Sequence, residues 1–172
     1  MDQEAIRGLI RSIPDFPKKG ILFRDITPVL GDKGAFRSAV ESLADVCPPG
    51  TEMIAGIESR GFIFAAAVAQ ALGAGFVPVR KAGKLPYRTE SVTYDLEYGT
   101  DTLEVHQDAF EKRKKTVLID DLLATGGTAA GTCRLLEKVG AEILKVEFLI
   151  ELADLKGRAK LAGRETFSLI VY

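Results

Sequence analysis

Apolar residues recur along this chain in two rhythms. Ile6, Leu9, Ile10 and Ile13 fall at helical spacing and predict a helix over residues 2–13, stopped by Pro14. Residues 20–28 predict a short extended segment and a turn, an N-terminal strand on the edge of the core. Phe36, Val40, Leu43 and Val46 form a second helical stripe, closed by Pro48-Pro49-Gly50. Residues 53–57 are continuously apolar, as in a strand buried on both faces, and lead into an apolar helix over 62–72. Residues 75–80 predict the next strand, with Pro78 placing it where one ladder hydrogen bond is dispensable. From 91 to 99 the pattern alternates, Val92, Tyr94, Leu96 and Tyr98 against Thr93, Asp95 and Glu97, and 102–106 can complete a hairpin. A strand at 117–119, an alanine-rich helix over 128–139 capped by Gly140, a strand at 143–152, a short helix at 154–161 and a last strand at 167–172 follow. Strands that alternate with helices imply an α/β fold with a mostly parallel central sheet, whose ligands sit beyond the carboxyl ends of the strands.

Bulk properties narrow the function. A chain of 172 residues suits a single domain with helices on both faces of the sheet. A net charge of −1 leaves no basic excess to hold a nucleic-acid backbone. No apolar run reaches the length of a membrane span, and residues 1–11 are amphipathic with mixed charge, unlike a secretory signal, so a cytoplasmic protein is expected. Cys47 and Cys133 lie far apart without a histidine cluster and read as reduced, structural residues. His106 is the only histidine and sits on an alternating stretch, which gives a Ser-His-Asp triad little support.

The chemistry concentrates in residues 117–128, Val-Leu-Ile-Asp-Asp-Leu-Leu-Ala-Thr-Gly-Gly-Thr. A strand ends in Asp120 and Asp121, then passes through Gly126 and Gly127 into a helix whose first N–H groups and positive dipole end suit a phosphate. No Lys-Ser/Thr pair follows Gly127, so this is not a Walker A loop, and the dinucleotide fingerprint is absent too. Two carboxylates beside a phosphate site repel the phosphate unless they face something else. Sugar hydroxyls and magnesium are that something else, which points to a ligand carrying both ribose and phosphate. Glu58-Ser59-Arg60-Gly61 repeats the strand-loop-helix arrangement. The cations Arg80, Lys81, Lys84 and Arg88 follow another strand, in a polar loop that reads as a mobile lid over a polyanion.

On these residues the chain resembles the type I phosphoribosyltransferases, and the wording Leu-Leu-Ala-Thr-Gly-Gly-Thr is most similar to that family's adenine-using members. Phe-Arg-Asp-Ile-Thr-Pro-Val-Leu from Phe23, Arg-Lys-Ala-Gly-Lys-Leu-Pro from Arg80 and Leu-Glu-Tyr-Gly from Leu96 extend the likeness over nearly the whole chain. Tyr87-Arg88 departs from the small or varied residues expected in the lid. The resemblance implies one domain with an N-terminal hood at about residues 1–30 and a flexible hairpin lid at about 81–98. It implies transfer of the phosphoribosyl group of magnesium-bound phosphoribosyl pyrophosphate to N9 of adenine, giving AMP and pyrophosphate in purine salvage, by a homodimer. Carried onto this sequence, Asp120 and Asp121 hold the ribose hydroxyls, and Ala124, Thr125, Gly126, Gly127 and Thr128 cradle the 5′-phosphate. Glu58, Ser59, Arg60, Arg80, Lys81 and Lys84 belong to the pyrophosphate site, and the Glu58–Ser59 peptide is expected to be cis. Leu22, Phe23, Arg24 and Leu122 face adenine, and Glu97 manages its proton. Magnesium comes mainly through the diphosphate rather than through direct protein ligands. Two alternatives stay open: a regulatory protein that senses phosphoribosyl pyrophosphate or a nucleotide on the same fold, and a sister transferase for another base.

Overall fold

The computed structural model describes residues 1–95, 99–110 and 112–172, which fall into two compact units, Met1–Ser42 and Leu43–Tyr172. In the first unit, α1 (Gln3–Leu9) is N-capped by Asp2, whose carboxylate accepts from the Ala5 N–H at 2.8 Å. The helix stops short of Ile13. Residues Arg11–Pro14 instead form β1, antiparallel to β2 (Leu22–Asp25) in a two-stranded sheet. The spacing of Ile13 fits either structure, and the ladder, with an Arg11–Asp25 ion pair at 3.1 Å, decides for the strand and leaves Ile13 exposed. β2 therefore pairs with β1 and not with the edge of the larger sheet. A short α2 (Thr27–Gly31) with Pro28 in its first turn follows, and α3 (Lys33–Val46) begins where Asp32 accepts from the Gly34 and Ala35 N–H groups.

The second unit carries β3 (Met53–Ile57), α4 (Arg60–Leu72), β4 (Gly75–Lys81), β5 (Thr89–Asp95), β6 (Thr100–His106), β7 (Lys114–Leu123), α5 (Gly127–Lys138), β8 (Ala141–Glu151) and β9 (Thr166–Val171). Its sheet has the order β5-β6-β4-β3-β7-β8-β9, with β4, β3, β7, β8 and β9 parallel. The hairpin β5-β6 runs antiparallel and joins β4 only at Arg80↔Glu104 and Lys81↔Leu103. Pro78 pairs with Gly56 of β3 on one side, and the described β4–β6 ladder holds only Arg80 and Lys81, so among the described residues Pro78 has no partner on its β6 side and its missing N–H costs no ladder bond. The predicted helix at 154–161 is instead two 3-10 turns, Ala153–Leu155 and Gly157–Leu161, separated by Lys156 in the left-handed conformation at φ 54°. Among the described residues no helix is long and apolar enough to cross a membrane.

The order of the strands positions the site. The crossover through α4 leads from β3 to β4 on one side, the crossover through α5 leads from β7 to β8 on the other, and β3 and β7 are neighbours. Crevices form beyond the carboxyl ends of strands at such a switch point. The β3–β7 ladder ends at Gly56↔Ile119, yet β7 continues against β8 through Asp120↔Phe148 to Leu123↔Glu151. Asp120 and Asp121 thus lie within the strand rather than in the loop after it, on a stretch laddered on one side only. Below them the core is built on Ile54, Phe64, Leu118, Leu135, Leu136 and Phe148.

One buried acid stands out in this unit. Glu147 on β8 is fully buried, with its Oε2 3.8 Å from the Cys47 thiol, while the neighbouring Lys145 ammonium donates to the Val46 carbonyl at 2.7 Å. Burial pushes the Glu147 carboxyl up to about 7 and the Cys47 thiol up to about 12. Because the folded value lies above the unfolded one, this acid favours the fold most below the ordinary carboxylate range, and that advantage drains away as pH rises to about 7. Glu147→Gln should therefore leave urea stability at pH 4.5 little changed and raise it at pH 8 by about 3 kcal/mol. Equal effects at the two pH values would refute the buried-acid account.

Candidate functional site

Two turns meet at the switch point. After β3 the chain passes Glu58 and Ser59, joined by a cis peptide bond, and enters α4 at Arg60. After β7 it passes Ala124 and Thr125 and enters α5 at Gly127. Neither helix has a side-chain hydrogen bond from its N-cap, Ser59 for α4 and Gly126 for α5. Both helix starts thus turn first-turn N–H groups and the positive end of a dipole toward the carboxyl edge of the sheet. Gly126 adopts φ +79°, a conformation open to glycine at little cost.

The turns are in contact. A Cβ on Gly61 would lie 2.5 Å from Asp120 Oδ1 and 3.2 Å from Asp120 Cα, so only glycine lets α4 begin this close to β7. One residue earlier, Arg60 Nη2 is 2.8 Å from Asp121 Oδ2, across the crevice. Asp120 turns its Oδ1 back to accept from the Asp121 N–H at 2.9 Å. Burial pushes both carboxyls above the ordinary carboxylate range, Asp120 further because the Asp121 charge adds to it, while the Arg60 guanidinium opposes the rise at each. Leu122 and Thr125 are half-buried on the same edge.

The cations beyond β4 are gathered by one carboxylate. Glu58 accepts from Arg80 Nε at 2.9 Å, from the Lys81 N–H at 3.0 Å and from the Lys84 ammonium. Burial alone would raise this acid, but the hydrogen bonds from Lys84, Lys81 and Arg80 outweigh it and hold its pKa low. Arg80 also donates to the Lys84 carbonyl at 3.2 Å, and Lys81 pairs with Asp101 at 3.1 Å. The structure therefore brings together Glu58, Ser59, Arg60, Asp120, Asp121, Leu122 and residues 124–128, with Arg80, Lys81 and Lys84 drawn in through Glu58. Leu22, Phe23 and Arg24 lie on β2 of the first unit, where Phe23 stacks edge-on against Phe16 at 5.2 Å and Arg24 donates to Ser12. Glu97 lies outside the described residues. His106 stands on β6, edge-on to Tyr87, away from both turns. Sequence reading missed Asp101 and the Gly157–Leu161 turn, which lies directly against Ala124 and Gly126. The only signal for the latter was Lys156-Gly157-Arg158 placed just after a strand.

Asp120 and Asp121, side by side, suit a hard cation that keeps water and substrate oxygens in its shell. Among the described residues no group of three acid, histidine or cysteine side chains forms a protein cage.

Comparison with known proteins bears on this geometry. The phosphoribosyl transferase domain model matches residues 38–165. The adenine phosphoribosyltransferase of Christiangramia forsetii is 54% identical over 168 residues, covering 97% of this chain and 98% of the relative. The chain belongs to the adenine phosphoribosyltransferase branch of the phosphoribosyl transferase family. A crystal structure of the adenine phosphoribosyltransferase from Thermoanaerobacter pseudethanolicus superposes with a TM-score of 0.96 at 51% identity, covering 99% of each chain. That of Saccharomyces cerevisiae, solved with adenine and an imino-altritol bisphosphate, gives 0.91 at 39% identity over 97% of each chain. The α/β architecture with its mostly parallel sheet, expected from the strand and helix pattern, is that of this branch.

Arg60 is the main opponent of the upward shift at Asp121. In the ligand-free protein Arg60→Gln should move the Asp121 carboxyl titration, followed by carbon-13 NMR, to higher pH. An unmoved titration would show that the ion pair does not form in solution.

Proposed function

We infer that the chain transfers the 5-phosphoribosyl group from phosphoribosyl pyrophosphate to N9 of adenine, forming AMP and pyrophosphate. The observation that carries this reading is the pair of uncapped helix starts at one switch point, bridged by Arg60 and Asp121 at 2.8 Å. One start suits a phosphate and the other a diphosphate, with two acids between them where a ribose spans the gap. The relatives' activity supports the same assignment.

In this reading residues 124–128 cradle the 5′-phosphate through N–H and hydroxyl groups, and Asp120 and Asp121 accept from the ribose 3′ and 2′ hydroxyls. Arg60 leaves Asp121 for the diphosphate, where Ser59, Arg80, Lys81 and Lys84 join it and Glu58 sets the cations in place. Magnesium, bound through the diphosphate, adds charge neutralisation to the leaving group. As the bond from C1′ to the pyrophosphate oxygen breaks, positive charge grows at C1′ beside Asp121, which has just lost its cation partner. The acid pair is therefore better satisfied in the transition state than before it, which is the condition for accelerating the step. N9 of adenine forms the new bond to C1′ and its proton passes to the Glu97 carboxylate. Leu122 packs on the base. Residues 81–98 act as a lid that keeps water from capturing C1′.

Incubation with magnesium, phosphoribosyl pyrophosphate and each base in turn should release pyrophosphate with adenine. No release with any base would favour a sensor, and release with another base alone a sister transferase. Asp121→Asn should lower kcat by about 100-fold, and Glu97→Gln should lower it too. Turnover at the wild-type rate in both variants would sink the assignment. The reading also takes the protein as a cytoplasmic homodimer, and a monomer mass at micromolar concentration in sedimentation equilibrium would refute the dimer.

A further inference from the structure

We propose that Arg158 is a positioning residue for the phosphate loop, acting through the backbone contact between Gly157 and residues 124–126. The proposal rests on the loop's assignment to the 5′-phosphate. A Cβ on Gly126 would lie 2.3 Å from the Gly157 carbonyl oxygen, and a Cβ on Gly157 would lie 2.3 Å from the Ala124 carbonyl oxygen and 2.8 Å from Leu123 Cδ1. Two backbones thus meet with no side chain between them. The conformation of Ala124, Thr125 and Gly126, and with it the aim of the N–H groups that open α5, depends on where Gly157 is held.

Arg158 holds it. Its guanidinium clamps the Glu151 carboxylate at the end of β8, Nε to Oε1 at 2.8 Å and Nη2 to Oε2 at 2.7 Å. It also donates to the Thr166 carbonyl at 2.9 Å and to Ser168 Oγ at 3.3 Å on the β9 side. Glu151 is buried, and the first cause of its lowered pKa is the hydrogen bond from Arg158, so the acid stays ionised. The Leu152 N–H reaches across to the Leu123 carbonyl at 2.9 Å, and Leu161 is buried in the core at the far end of the turn. A path of direct contacts therefore runs from β8 and β9 through Glu151, Arg158 and Gly157 to the loop. Lys156 and Gly157 lie between two rigid supports, while the loop is supported by this turn on one side and by the β7 ladder on the other.

A forked guanidinium fixes orientation in a way that an ammonium does not, so Arg158→Lys keeps the charge and loses the brace. In both Arg158→Lys and Arg158→Gln, the KM for phosphoribosyl pyrophosphate should rise at least about tenfold while the KM for adenine stays within about twofold. Glu151→Gln should raise the same KM, and combining it with Arg158→Gln should add little, because both break one clamp. The backbone amide signals of Gly126, Gly127 and Thr128 should shift in the ligand-free Arg158→Lys protein. A folded Arg158→Lys variant with unshifted loop signals overturns the proposal, and so does a lowered Tm with KM unchanged for the folded protein. If Arg158→Gln fails to fold, Arg158→Lys decides by the same two readouts. Should the wild type prove inactive with every base, the transferase reading falls, while the amide signals still decide whether Arg158 positions the loop.

Discussion

Two adjacent carboxylates at the protected end of a strand repel one another and resist ionisation, and the Arg60–Asp121 ion pair is the interaction that makes their placement workable. It depends in turn on Gly61, since any side chain there would strike Asp120 and push α4 away. The length of β3 is part of the same arrangement. By ending at Ile57 while β7 runs on against β8, it opens one side of β7 at the acids. A ligand that brings hydroxyls to the acids and an anion to the arginine replaces each half of the pair with a better partner. Binding and the release of Arg60 are then a single exchange.

The cations beyond β4 follow the same logic. Left alone, Arg80 and Lys84 repel each other, and Glu58 holds them within one hydrogen-bonded cluster. Glu58 adjoins the cis peptide that begins the Ser59–Arg60 turn, so the loop cations and the helix start are registered by one side chain. An acid in an anion site looks out of place in sequence. In the structure it gathers Arg80 and Lys84 into one cluster, and in the proposed transferase that order limits the reorganisation needed when a diphosphate binds.

Much of this was legible in the sequence because the elements that carry it are locally determined. β3 is a continuous apolar run, α4 is a strongly apolar helix directly after it, α5 opens with small residues after a strand, and the motif at 117–128 names its own chemistry. The misses share a cause. Residues Arg11–Pro14 left the helical pattern because a partner strand lay 11 residues downstream of its first residue, and Asp120 and Asp121 stayed in β7 because β8 is long enough to ladder them. Residues 154–161 gave helical composition but contain Lys156 at positive φ. Each is a long-range or conformational fact that spacing does not encode. The same holds for Arg158, whose proposed role rests on Gly157 lying against Ala124.

Helix starts and side chains divide the work at this site by the kind of charge they meet. Phosphates carry fixed negative charge throughout a transfer, so rigid backbone N–H groups at uncapped helix starts can hold them without adjustment. In the proposed transfer the charge that changes lies at C1′ and at the leaving oxygen, and the ionisable side chains assigned there have partners in the ligand-free protein, Asp121 with Arg60 and Glu58 with Arg80 and Lys84. Rigid supports for what stays constant and exchangeable pairs for what changes is the arrangement that electrostatic preorganisation requires. On the same reading, a loop proposed to hold a phosphate gains from the backing of the Gly157 turn, which lies directly against Ala124 and Gly126.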